Sequence, residues 1–254
     1  MNLTADPDFL IIGAQKSGTT SLYEYLCQHP SILPASKKEI HYFDKNYYKG
    51  RLWYRWHFPE KKTGGQLTGE ASPSYLFYPG AARRIYKALP RARLLVLLRN
   101  PVDRAISAYF HQRQKGVETL SLEEALKREE SRLARYRGRL GYGWLSARSN
   151  KNLRRFSYRT RGLYAQQLRE YLRYFPREQV WIEQGELFFA RPKQMVKSSL
   201  RFLGLEASYL PSDVYPRNVH HYGQIAASTR QMLEDFYRPH NEELYGLLGR
   251  RFDW

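Results

Sequence analysis

This 254-residue chain has a single cysteine, Cys27, which excludes an internal disulfide and points to a reducing, cytoplasmic setting. Cys27 sits on the helical pattern of Leu22, Tyr25 and Leu26, so a small core residue is a reading beside that of a nucleophile. Long apolar runs are missing too. Phe9–Ile12 and Leu94–Leu98 are strand-sized, and no membrane span is expected. Met1–Asp6 lacks the basic start and apolar stretch of a signal peptide. His220-His221 has no further Cys or His at ligand spacing, so no metal is expected. Neither a G-x-S-x-G element, a dinucleotide fingerprint, an internal repeat nor a low-complexity linker is present. Acidic residues are scarce: 24 Asp and Glu against 42 Lys and Arg give a net charge of +18, which implies an anionic partner.

The chain is 42% hydrophobic, enough for a sizeable core in one domain, residues 1–254. Short apolar strands at Phe9–Gly13, Gln66–Glu70, Arg93–Leu98 and Gln179–Glu183 alternate with helical patterns. That alternation predicts an α/β fold with a central parallel sheet flanked by helices. A helix is expected from about Ser17 to His29, stopped by Pro30. Asn100-Pro101 reads as N-cap and first residue of a helix running towards Lys115. Ser121 and Glu124 form a capping box. Gly162 to Phe175 is an amphipathic helix, and Ser228 with Gln231 caps a closing helix that Pro239 interrupts and Gly249 ends.

Between Lys127 and Arg161 stand twelve Lys or Arg and only two Glu, interleaved with Tyr136, Tyr142, Trp144, Phe156 and Tyr158. Gly138 to Arg159 is poor in helix or strand period, so about 116–161 is expected to be a basic surface insertion or lid. Its texture fits a substrate groove and a solvated segment equally. Nucleic acid ranks third, because no nucleic-acid motif accompanies the charge.

The most informative stretch is Phe9-Leu10-Ile11-Ile12-Gly13-Ala14-Gln15-Lys16-Ser17-Gly18-Thr19-Thr20. A buried strand runs into a glycine-bounded turn and then a helix, the layout of a phosphate cradle. In a nucleotide-triphosphate P-loop the lysine follows the second glycine. Here Thr19 and Thr20 follow Gly18, and Lys16 lies inside the loop. A second anion site is suggested by Arg99 at the end of an apolar strand, with Ser107 two helical turns after Asn100. The plain alternative is that Arg99 pairs with Asp103 at the helix start.

Gly13 to Thr20 resembles the 5′-phosphosulfate loop of sulfotransferases that use 3′-phosphoadenosine-5′-phosphosulfate (PAPS). Arg99-Asn100-Pro101-Val102-Asp103-Arg104-Ala105-Ile106-Ser107-Ala108-Tyr109 resembles their 3′-phosphate element. Lys38-Glu39-Ile40-His41-Tyr42-Phe43-Asp44 is similar to the catalytic segment of the heparan sulfate N- and 3-O-sulfotransferase branch and its bacterial relatives. Gly69-Glu70-Ala71-Ser72-Pro73-Ser74-Tyr75 is similar to a cleft-lining turn there, and Asn241 to Trp254 to the carboxyl end of those domains. The sequence departs from that branch in two places. Arg217–Gly223 replaces its late Lys-Gly-Arg turn and flanking disulfide, and Ala71 stands where some relatives have lysine.

The resemblance implies a P-loop-like three-layer fold and metal-independent transfer of a sulfuryl group, with 3′-phosphoadenosine-5′-phosphate as product. It implies that Gln15, Lys16, Ser17, Gly18, Thr19, Thr20, Arg99 and Ser107 bind the nucleotide. Catalysis would fall to Lys16, which neutralises the leaving oxygen, with Glu39 as base. Glu39 and His41 are two apart and share a face on an extended segment, so His41 orients the acceptor or replaces Glu39. His111, on the helix face of Ser107, matches a substrate-side histidine of the N-sulfotransferases. The expected acceptor is an anionic or hydroxylated saccharide or lipid. A Golgi-type domain without its anchor would read the same as a cytoplasmic protein. Two rivals are a P-loop nucleotide kinase-like enzyme, for which Glu70 and Glu183 at strand ends would hold Mg²⁺, and a basic non-catalytic binder of nucleic acid or anionic polymer. Oligomeric state leaves no mark in the sequence.

Overall fold

A computed structural model describes residues 5–134, 151–209 and 225–254. In chain order the elements are β1 (Phe9–Gly13), α1 (Thr19–Leu26), β2 (Ile32–Pro34), α2 (Gly50–Arg55), β3 (Leu67–Ala71), α3 (Ala81–Ala88) and β4 (Arg93–Leu98). They continue with α4 (Pro101–Gln114), α5 (Leu122–Leu133), α6 (Lys151–Phe156), α7 (Tyr164–Leu172), β5 (Val180–Gln184), α8 (Gly185–Ala190), α9 (Pro192–Phe202) and α10 (Ala227–Leu248). They fall into two compact units, Met1–Leu98 with Tyr171–Asn218, and Arg99–Glu170 with Val219–Trp254.

The first unit is a five-stranded sheet in the order β2-β3-β1-β4-β5, and every pairing is parallel. Strands covered on both faces need apolar side chains throughout, which explains the unbroken runs of β1 and β4. Phe9 and Ile11 pack with Leu22, Tyr25, Leu95, Leu97, Phe188 and Val196. Cys27 lies at the edge of this cluster, and burial pushes its thiol up to about 11. It is therefore a protonated packing group and not a nucleophile.

β1 and β4 take the expected bounds, while β3 and β5 are shifted by one residue from expectation. β2 was not anticipated: three residues ending in Pro34 give almost no pattern, and the strand survives as an edge paired to β3. α1 starts at Thr19, later than expected, because Ser17 belongs to the loop and Gly18 forms the left-handed N-cap at φ 90°.

In the second unit, Val102, Ile106, Tyr109, Leu122, Leu126, Tyr158, Leu233 and Tyr237 form a separate core. Asn100 accepts a hydrogen bond from Val102 N–H with Pro101 in the first turn, and the Ser121–Glu124 capping box closes in both directions. The closing helix differs from expectation at its start. Ala226 is the cap, Ser228 lies inside the first turn, and Gln231 instead donates to Asp235. Buried Thr229 donates to Glu123 at 2.7 Å, which seats that turn on α5. α10 also runs through Pro239, whose exposed side of the helix lets water take the freed carbonyl.

The expected lid is corrected at both ends, while residues 135–150 lie outside the described part. Where no helix was expected, α6 forms, with Leu153 buried. Glu118 accepts two hydrogen bonds from Arg132 at 2.5 and 3.1 Å and one from Tyr158. Glu129 accepts from Arg159 N–H, Thr160 N–H and Thr160 Oγ1. Two buried carboxylates thus spend part of the basic charge on holding this unit together.

Candidate active site

β1 ends at Gly13, and the loop that follows emerges at the carboxyl end of a central strand, where open parallel sheets bind ligands. Ser17 N–H bonds back to Ala14 O at 3.3 Å, and Leu22 N–H bonds to Gly18 O at 3.0 Å. The N–H groups of the first turn of α1, at Thr19 and Thr20, have no acceptor within a helix and face its start. Two glycines permit the close approach here. A Cβ on Gly18 would stand 2.8 Å from the Phe189 ring, and one on Gly185 would stand 2.9 Å from the carbonyl oxygens of Ser17 and Leu98. Ser17 Oγ is buried and has no hydrogen-bond partner within the described residues. An orphaned hydroxyl inside an amide-lined turn fits an anion.

Among the described residues, Lys16, Glu39 and His41 are the non-glycine residues with positive φ, at 72°, 57° and 56°. Such backbone costs about 1–3 kcal/mol per residue and persists only when its surroundings enforce it. For Glu39 and His41 the enforcement is visible. Ile40 N–H donates to Glu70 Oε2 at 3.3 Å, His41 N–H to Ser72 Oγ at 3.1 Å and Tyr42 N–H to Tyr75 Oη at 2.7 Å. The end of β3 and the turn after it therefore hold three consecutive amides of the 39–44 segment. The expectation of an extended segment is overturned: Glu39 and His41 meet through a left-handed turn and not by strand alternation.

Their side chains form a chain of contacts. His41 Nε2 lies 3.2 Å from Glu39 Oε2, and His41 Nδ1 lies 3.0 Å from Asp44 Oδ2. Ser74 Oγ donates to Asp44 Oδ2 at 2.5 Å. The His41 hydrogen bond holds Glu39 below the usual carboxylate range against the opposing effect of burial, with help from the charges of His41, Lys38 and Lys45. Burial alone would lower His41, but its bonds to Asp44 and Glu39 outweigh it and raise the imidazole. Burial likewise opposes ionisation of Asp44, and the His41 and Ser74 bonds overcome it. Lys38 Nζ donates to Thr20 Oγ1 at 2.6 Å, which ties this segment to the first turn of α1.

A sulfotransferase domain model matches residues 6–242. The chain belongs to the sulfotransferase domain family. It is 32% identical to mouse heparan sulfate glucosamine 3-O-sulfotransferase 6 over 98% of this chain and 73% of that protein. It is 31% identical to mouse heparan sulfate glucosamine 3-O-sulfotransferase 3B1, again over 98% of this chain, and spans 65% of that relative's length. The crystal structure of a sulfotransferase from Alicyclobacillus acidocaldarius superposes with a TM-score of 0.81 at 36% identity, covering 98% of both chains. The P-loop-like reading of the sheet and its first loop follows from that superposition.

The remaining candidates of this sulfotransferase-family chain lie in the second unit. Arg99 follows directly on β4, and Tyr164 Oη donates to its carbonyl at 2.9 Å. Asp103, the partner of Arg99 in the plain alternative reading, pairs with Arg230 at 2.9 Å. Ser107 is buried on α4, and His111 is half-buried one turn later. Sequence reasoning missed Asp44, Ser72 and Ser74 as supports. The E-x-H-x-x-D spacing was a signal for Asp44, since residues three apart meet in a helical turn. Glu70 is reassigned. It is sealed from solvent and accepts from Tyr54, Ser72, Tyr75 and Ile40 N–H, so its oxygens brace the turn of Glu39 and His41 and are not offered to Mg²⁺.

Proposed function

We propose that the protein transfers a sulfuryl group from PAPS to a hydroxyl of a saccharide acceptor. The observation that carries this is the Glu39–His41–Asp44 chain, built on enforced left-handed backbone in the unit that also holds the Lys16 loop. Both ring nitrogens of His41 are engaged by carboxylates and its imidazole is raised, so it has no lone pair for an acceptor proton. Glu39, held low and 41% exposed, is the group able to take one.

In the step, the acceptor oxygen attacks sulfur as the bond from sulfur to the nucleotide phosphate oxygen breaks. The acceptor proton passes to Glu39. Lys16 and the loop amides stabilise charge on the departing oxygen. His41, fixed by Asp44, steadies the Glu39 carboxylate. Gln15, Ser17, Gly18, Thr19 and Thr20 hold the 5′ side of the donor, and Arg99 and Ser107 its 3′-phosphate. The heparan sulfate 3-O-sulfotransferases named above favour a saccharide hydroxyl over an amine or a lipid-borne hydroxyl.

Calorimetry with 3′-phosphoadenosine-5′-phosphate and an assay of sulfate transfer from PAPS to saccharide, lipid and phenol acceptors test the reading. Binding of the bisphosphate in preference to ATP, with transfer to saccharides, is expected. Tight ATP binding with no affinity for the bisphosphate would sink it.

A further inference from the structure

Lys38 joins the two halves of the candidate site. Its ammonium donates to Thr20 Oγ1 at 2.6 Å, in the first turn of α1, and lies 3.8 Å from Glu39 Oε1. A threonine hydroxyl carries a single hydrogen. With a lone pair of Thr20 taken by an ammonium, that hydrogen turns away from Lys38 and becomes a donor for an anion at the loop. The same ammonium neighbours the carboxylate of Glu39, whose backbone stands at φ 57°. An exposed Lys–Glu pair alone contributes only about 0–1 kcal/mol and would carry no meaning. The bridge to Thr20 is what distinguishes this one.

The geometry points to Lys38 as a positioning residue that couples filling of the anion cradle to placement of the general base, an inference that rests on the PAPS reading above. An anion that accepts the Thr20 hydrogen fixes the hydroxyl. The hydroxyl fixes the ammonium, and the ammonium steadies Glu39. During transfer the oxygen–sulfur bond to the acceptor forms while the bond to the nucleotide breaks. The acceptor proton goes to Glu39, and Lys38 keeps its own protons throughout.

The test compares Lys38→Met, Lys38→Arg, Thr20→Val and the Lys38→Met/Thr20→Val double variant. It follows thermal unfolding, calorimetric binding of 3′-phosphoadenosine-5′-phosphate, and kcat at saturating PAPS across pH. Lys38 is 30% exposed on its side chain, so Lys38→Met is expected to fold with an unchanged Tm. Its kcat should fall about 10- to 100-fold, the scale of a misplaced catalytic group. Bisphosphate affinity should fall less than about 10-fold, the scale of one charged hydrogen bond. The acidic limb of kcat should move to higher pH, because Lys38, with His41 and Lys45, is among the cations that hold the Glu39 carboxyl low. Lys38→Arg should recover most of the turnover, and the double variant should lose less than the product of the two single losses.

Wild-type kcat with an unmoved acidic limb in Lys38→Met would overturn the inference, as would multiplicative losses in the double variant. Failure of the wild-type protein to bind the bisphosphate would remove the PAPS reading, and the Lys38 role with it. Normal wild-type binding with an indifferent Lys38→Met removes the Lys38 role alone.

Discussion

Glu70 and Glu118 are both carboxylates sealed from water, and the chain satisfies them in opposite ways. Glu118 has a cation: Arg132 forks onto both oxygens, with Tyr158 and the amides of Thr119 and Leu120 completing the shell. Burial works to raise its carboxyl, but the Arg132 bond and the other donors prevail and hold it low. Glu70 is met by hydroxyls and an amide, and there burial prevails and the carboxyl is raised. The first arrangement is a permanent ionic staple. The second braces the turn of Glu39 and His41 with neutral donors: the hydroxyls of Tyr54, Ser72 and Tyr75 and the Ile40 amide, with no Lys or Arg side chain bonded to it. Buried carboxylates in this chain are thus of two kinds, and the density of Lys and Arg along the sequence does not separate them.

The sharpest way to break the contrast is to remove the proposed base, Glu39, on the turn that the Glu70 brace supports. Glu39→Gln should lower turnover by roughly 10²–10⁴-fold, the range of a lost general base, while leaving calorimetric bisphosphate binding intact. Near-normal turnover would move the proton transfer to another group. Lys16→Ala should cost turnover about 10²–10³-fold, with a smaller loss of binding because the amide cradle remains. Equal losses of both would make Lys16 a binding residue only.

On the staple side, Glu118→Gln leaves Arg132 without its buried partner and should lower stability by about 3–5 kcal/mol, read as a fall in denaturation midpoint. Specific activity of the folded fraction should stay unchanged. Ser74→Ala removes the bond to Asp44 and should cost about 1–2 kcal/mol of stability together with a several-fold drop in kcat, which distinguishes a braced turn from a staple.

The smallest effect is one of pH. Glu118 is lowered in the folded state, so its contribution is complete above its unfolded value, near about 4.3, and is lost as pH falls through the folded value. Glu70 is raised, so its contribution is complete below the unfolded value and drains as pH rises through the folded one. Stability measured against pH should therefore lose its acid-side fall in Glu118→Gln and lose its decline above the ordinary carboxylate range in Glu70→Gln. Parallel curves for wild type and Glu70→Gln would remove the distinction.

The sheet was legible because β1 and β4 are unbroken apolar runs, and α4 and α5 because Asn100-Pro101 and Ser121/Glu124 are local signals whose partners lie within three residues. The phosphate loop was legible for the same reason. The turn at Glu39 and His41 was not, since its left-handed backbone is imposed by Glu70, Ser72 and Tyr75, some thirty residues along the chain. A lid was inferred from charge density, and Glu70 was weighed for the kinase-like rival from its place at a strand end, where contacts between distant residues decide the matter. Glu118 pairing with Tyr158 and Glu129 with Thr160 leave no periodic trace.

Because the amides of Ile40, His41 and Tyr42 hang from the end of β3 and the turn after it, the place of Glu39, the proposed base, is inherited with the sheet and not with the surface peptide that leads into that strand. The exposed stretch from Lys62 to Gly65 can be lengthened, exchanged or grafted while Glu39 stays where β3 puts it.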